Sequence, residues 1–465
     1  LIKSLLSIDP RQRLTAIGAV VHPYFTMSLA AEMHQAGNVI DPEEKLAVFR
    51  RHLNTMRQES SGEAIQFIRV RRESIVRDVL REFARFGRAN LEKRLIVMYE
   101  GESGVDAGGL TKDMFYRFFD QLIKPSIGMF TCTDEGSGGS GGGAAGGGFV
   151  ASGEQTYLPS PTFELVGYLE ALGKVLGKVV LDGHTIEARF APALYKYLLC
   201  DEDGAGASTA ASGFNNDVNG YNSIGFADLE AFDGQLYAQL HENVLQREIT
   251  PEYADALALD FDTLVPGGAE RMVTNANKRE YLRLRARHIL ADSRRRQLEA
   301  IRKGFHSLDW RGSLKRFNAL DFRKLLCGPD TLTADMVVDN IDFTYGDWRG
   351  SRTLEHIKRF LHECEMGRVR RRSSGKSDRH HKGDHSEGSL ELRRFLRFVT
   401  GSPSLPYGGL SGGGSGGQAA AGAATGRICF TQLPKSDRLP EAHTCFNTVD
   451  LPDYNDYVTL RDKLM

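Results

Sequence analysis

The chain has 465 residues, 41% of them apolar, which is enough for two or three domains with cores of their own and excludes a disordered chain. Lys plus Arg (59) nearly cancel Asp plus Glu (60), so no overall field draws the chain to nucleic acid or an anionic membrane. No apolar run reaches the roughly 18 residues of a membrane helix and no signal-peptide pattern opens the chain, so the expected class is a soluble, cytoplasmic or nuclear globular protein.

The chain opens on Leu1, inside a helical pattern, and reads as a piece of something longer. In "LIKSLLSIDPRQRLTAIGAVVHPYF", Asp9 can cap a helix that has Pro10 at its first position, with Leu14 and Ile17 on its buried face. Residues 31–67 read as a helical linker. Farther on, "LEKRLIVMYEGESGVDAGGL" offers Leu95 to Tyr99 as a buried strand, then a turn at Gly108 and Gly109. That turn is not a phosphate loop: G-x-x-x-x-G-K is missing, and Glu102 and Asp106 would repel phosphate. Asp106 is expected to cap the next helix, "TKDMFYRFFDQLI", whose Met114, Phe115, Phe118, Phe119, Leu122 and Ile123 share one face.

"FELVGYLEALGKVLGKVVLDG" is a second apolar helix, and its glycines at 167, 173, 177 and 183 predict close helix packing. "EYLRLRARHILADSRRRQLEAIRKGF" reads as another long helix. From about residue 341 the elements become short and mixed: helices near 354–364 and 390–398, a strand near 427–433, a cysteine loop and a last helix. Four stretches, 134–155, 201–222, 367–388 and 411–426, are too poor in apolar side chains to build a core and read as flexible surface insertions. The basic run 368–385 raises the possibility of a nucleic-acid surface, or of a metal held by His380, His381, Asp384 and His385. Stacking aromatics are missing and the ligand spacing is irregular, so a solvated insertion is the expected reading. Six cysteines (132, 200, 327, 364, 429 and 445) lie scattered with no C-x-x-C pair, as reduced thiols would.

Read in order, "GESGVDAGGLTKDMF", "LGKVLGKVVLDG", "NANKREY", "AIRKGF", "LLCG", "FLRFVTGSPSLPYGGL" and "LPEAHTCFNTVDLPDY" resemble the successive signature blocks of a HECT-type ubiquitin ligase domain over about residues 68–465. The resemblance implies an α+β, bilobal fold. A large, mainly helical N-lobe (68–335) would receive the ubiquitin-conjugating enzyme, and a small α/β C-lobe (341–465) would carry ubiquitin as a thioester. The connection between them is expected near 328–340. Matching "HTCFN" to the family pattern makes Cys445 the acceptor, with no metal or organic cofactor required.

The resemblance also exposes departures. The region that would grip the conjugating enzyme, placed within 236–282, looks cut short between "ALALDFDTLVPGG" and "VTNANKREY". A tryptophan-rich helix of the family is replaced by "TLEHIKRFLHECE", where Phe360 and Leu361 can substitute in packing. The family continues more than ten residues past "LRDKLM" to a phenylalanine that helps transfer. A catalytically impaired HECT-like scaffold is therefore the competing reading. Residues 1–30 are similar to the closing helices of a protein kinase domain, through Asp9-Pro10, Arg13, Leu14, Thr15 and His22-Pro23-Tyr24-Phe25, without any of that family's catalytic elements.

The chemistry suits the residue type. Acyl transfer between two sulfurs is nearly isoenergetic, and an ordinary thiol already has a few per cent of nucleophilic thiolate at neutral pH. A loop entered after Pro440 can hold such a sulfur exposed, with Phe446 packed beneath it. Thr444 could donate toward the sulfur or a developing oxyanion, or could simply fit an extended backbone. His443, two residues before Cys445, would share its side in an extended stretch and so could assist proton transfer or merely order the loop.

Overall fold

The computed structural model describes residues 42–59, 65–103, 106, 108–133, 155–199, 223–310, 312–343, 348, 351–369, 385–410, 426–454 and 456–465. The kinase-like stretch 1–30, most of each of the four insertions, and the histidines at 380 and 381 lie outside them.

Apolar side chains divide between two cores. The larger runs from Phe49 to Leu326 and the smaller from Leu332 to Leu460, so the chain crosses from one to the other through "CGPDT". The larger lobe starts with helix α1 (Pro42–Glu59), part of the expected linker, whose Phe49 stacks on Trp310 and meets Phe317 edge-on. Strands β1 (Ile65–Val70) and β2 (Arg94–Tyr99) pair in parallel around helix α2 (Ile75–Arg85). β2 is buried mainly on one face: Leu95, Val97 and Tyr99 point inward while Arg94 and Met98 are exposed.

Helix α3 (Gly109–Leu122) follows, with Met114, Phe115, Phe118, Phe119 and Leu122 inside, as its spacing predicts. Helix α4 (Val166–Asp182) is the axis of the lobe. Its buried Lys174 and Lys178 donate to the carbonyls of Ala84, Phe86 and Lys93, so even its polar positions are tied to the α2–β2 layer. The expected long helix near 281–305 is broken into α5 (Lys278–Leu290) and α6 (Arg295–Phe305). Between them Arg294 turns inward, where its guanidinium donates to the Pro159 carbonyl and faces the Phe232 ring.

α4 and α6 touch backbone to backbone. A Cβ added to Gly173 would stand 1.9 Å from the Ile301 carbonyl oxygen, and one on Gly304 1.8 Å from that of Glu170. Of the four glycines in the α4 segment, Gly173 and Gly177 meet this partner, Gly183 caps the helix, and Gly167 has open space beside it.

The smaller lobe packs helices α7 (Thr353–Glu365), α8 (His385–Thr400) and α9 (Tyr457–Leu464) on a four-stranded sheet. Its strands are β3 (Ile341–Asp342), β4 (Ile428–Leu433), β5 (Glu441–His443) and β6 (Thr448–Pro452), in the order β3-β4-β6-β5. β4 is parallel to both neighbours, and β5 turns back antiparallel to β6. Phe360 and Leu361 are fully inside, with Phe360 against Phe395, as the substitution for tryptophan requires.

Candidate functional site

The β5–β6 hairpin carries the cysteine. Its register pairs His443 with Thr448, which leaves residues 444–447 as the turn. The Phe446 amide donates to the His443 carbonyl, and Asn447 closes the turn at φ 52°, a left-handed conformation that asparagine tolerates better than most residues. Asn447 also anchors the loop to β4: its Nδ2 donates to the Gly426 carbonyl and its own carbonyl accepts from the Cys429 amide.

Two expectations about this loop are corrected. Because 443–446 is a turn and not an extended stretch, the same-side relationship of His443 and Cys445 has no basis here. The His443 ring instead pairs with Asp450, Nε2 to Oδ2 at 3.0 Å, across the hairpin. Phe446 does not pack beneath the sulfur either, being about half exposed.

What lies against the sulfur comes from the other lobe. Asp106 is buried and accepts from the amides of Gly108, Leu110 and Thr111 and from the Thr111 hydroxyl, while its second oxygen also takes the Val97 amide of β2. It caps α3 as expected, and Gly108, at φ 115°, supplies the turn that only glycine enters readily. This fixed helix start meets the cysteine loop. A Cβ on Gly109 would lie 2.6 Å from the Cys445 Sγ, 3.0 Å from the Thr444 Oγ1 and 3.6 Å from the Cys445 amide nitrogen.

One turn along α3, the Lys112 Nζ donates to the carbonyls of Thr400 (3.1 Å) and Thr444 (3.2 Å) and to the Asn447 Oδ1 (3.1 Å). Burial pushes this amine down to about 8, with the charge of Cys445 acting the other way. The Thr444 side chain is wedged between Gly109 and Gly401, turned toward the large lobe. Neither Asp106 nor Lys112 stands out by motif as a partner of the cysteine. Lys112 follows the Gly108–Gly109 pair by about one helical turn, a pattern with no chemistry until the small lobe is laid on it.

Cys445 is partly exposed. Cys364 and Cys429 are buried, and burial pushes the Cys364 thiol up to about 12. Desolvation likewise pushes the Cys327 thiol up to about 11, beside Tyr195. The Cys327 and Cys364 thiols therefore stay protonated at neutral pH and are poor nucleophiles. Among the described residues no cluster of histidine, cysteine and carboxylate side chains could hold a metal ion, and no helix is long and apolar enough to cross a membrane.

The segment 236–282, which reads as cut short, folds as short helices, including Gly234–Leu240 and Pro251–Ala256, with one antiparallel bridge, Asp260 to Met272. Leu257 and Met272 stand exposed on it.

Comparison with known proteins finds a match to the family model described as HECT-domain (ubiquitin-transferase) over residues 116–370 and 388–465. The chain is 27% identical to a bifunctional serine/threonine-protein kinase/NEDD4-like E3 ubiquitin-protein ligase of Dictyostelium discoideum, over 100% of this chain and 24% of that protein. It is 25% identical to E3 ubiquitin-protein ligase TOM1-like of Neurospora crassa (92% of this chain, 9% of that one) and 25% identical to E3 ubiquitin-protein ligase UPL1 of Arabidopsis thaliana (93% and 10%). It therefore spans about a quarter of the first relative's length and about a tenth of the others'.

Proposed function

Because the chain belongs to the HECT-domain family of ubiquitin transferases, we propose that it accepts ubiquitin from a conjugating enzyme on Cys445 and passes it to a lysine of a substrate protein. The observation that carries this reading is the sulfur itself: a partly exposed cysteine at the tip of a β-hairpin on a lobe with its own core. In the first step the Cys445 thiolate attacks the carbonyl carbon of the donor thioester. A new C–S bond forms, the old one breaks, and the donor sulfur leaves with the electron pair. In the second step a neutral lysine amine attacks the same carbon, an amide forms, the C–S bond to Cys445 breaks, and the nitrogen's extra proton is released. Both steps pass through a thiolate at Cys445.

The exposed Leu257 and Met272 give the segment 236–282 the apolar surface that docking of the conjugating enzyme would use. Incubation with activating enzyme, ubiquitin and a panel of conjugating enzymes tests the reading. A reducible ubiquitin adduct on the chain, absent from Cys445→Ala, is the expected result. No adduct with any conjugating enzyme would leave the scaffold reading in its place.

A further inference from the structure

We propose that Lys112 is a positioning residue that seats the unloaded acceptor loop on the large lobe, so that the loop must be released before Cys445 can be charged. The inference rests on the thioester reading above for its consequence, and on geometry alone for the seat.

Lys112 belongs to the large lobe, yet its three acceptors all belong to the small one: the last residue of α8, the residue before Cys445, and the residue that closes the turn after it. The ammonium thus grips the loop on both sides of the sulfur. Three acceptors match the three donors of an ammonium group, which makes the site complete. Asn447 relays the grip inward, since the side chain that accepts from Lys112 also donates to the Gly426 carbonyl beside β4.

The seat is shaped as well as charged. The three atoms nearest a Cβ on Gly109 all come from Thr444 and Cys445, so the missing side chain is what lets the sulfur lie against α3. Gly401, at φ 78°, brings Lys112 and Thr444 together from the α8 side. A donor sulfur on a second folded protein must come within bonding distance of Cys445 Sγ, and in this arrangement α3 occupies one side of that sulfur. Seating and charging therefore compete.

Seating can be read without ubiquitin. With Gly109 kept, the rate at which a small maleimide labels Cys445, read by peptide mass spectrometry, reports how far α3 covers the sulfur. Slow labelling is expected with Lys112 and with Lys112→Arg, and labelling at least tenfold faster with Lys112→Gln. Single-turnover charging by a conjugating enzyme should likewise be several-fold faster in Lys112→Gln and in Gly109→Ala, and return to the starting rate in Lys112→Arg. A merely structural lysine would give slower charging, not faster. Equal labelling in Lys112→Gln overturns the seat, and faster labelling without faster charging overturns its role in the reaction. If no variant is ever charged, the thioester reading fails and the labelling result still decides whether the seat exists.

Discussion

Gly109 and Cys445 come from different lobes, and a Cβ on the first would stand 2.6 Å from the sulfur of the second. A methyl group at 109 must displace the loop, because a real Cβ does not approach sulfur so closely and every near neighbour belongs to that loop. In Gly109→Ala the Cys445 thiol should react with a small maleimide about tenfold faster than in the parent chain, measured by peptide mass spectrometry. An unchanged rate would mean that the sulfur is not held against α3.

The same helix start depends on Asp106, whose carboxylate accepts from the amides of Gly108, Leu110 and Thr111, the Thr111 hydroxyl and the Val97 amide. Asp106→Ala leaves buried donors unpaired and should cost about 3 kcal/mol of large-lobe stability. Chemical denaturation checks this, and a loss under about 1 kcal/mol would contradict it.

Backbone contact between α4 and α6 leaves no room for a methyl group. Gly173→Ala would place its Cβ 1.9 Å from the Ile301 carbonyl oxygen, so the two helices must separate. Overpacking of this kind costs about 3 kcal/mol. A clear drop in the midpoint of thermal unfolding is expected, whereas Gly167→Ala, with open space beside it, should leave the midpoint nearly unchanged.

Asp78 couples stability to acid. Arg71 binds its nearly inaccessible carboxylate through two nitrogens and, with Ser74, pulls its pKa from 3.8 down to about 2. A folded value below the unfolded one gives stability that is full above about pH 4 and lost as the pH falls through 2, roughly 2 kcal/mol in all. Asp78→Asn should be less stable at pH 7 and show a shallower acid dependence. A variant whose pH profile runs parallel to the parent's would contradict the assignment.

The chemistry at His443 follows from its partner. With its ring held by Asp450 at 3.0 Å and the chain turning at 444–447, His443→Ala should charge within about twofold of the parent between pH 6 and 8. A rate loss of tenfold or more would restore a proton-transfer role.

Much of this was legible in the residues. Helix α3 showed in its spacing, the Asp106 cap in its position before a glycine pair, and the small-lobe core in Phe360 and Leu361. Three things were hidden for physical reasons. At the break between α5 and α6, Arg294 reaches the carbonyl of Pro159, 135 positions away, a contact that periodicity does not encode. The loop looked extended because Pro440 and a β-branched threonine favour that state, yet the hairpin register closes it as a turn at Asn447. The grip of Lys112 on Thr444 joins residues more than three hundred positions apart, and no local pattern announces it.

Replacing one atom tests the central claim most directly. With activating and conjugating enzymes supplied, Cys445→Ser should trap ubiquitin as an ester at residue 445, resistant to thiols and cleaved by hydroxide, and located there by mass spectrometry. An adduct that persists in reducible form in this variant, or maps to any other cysteine, would contradict the account.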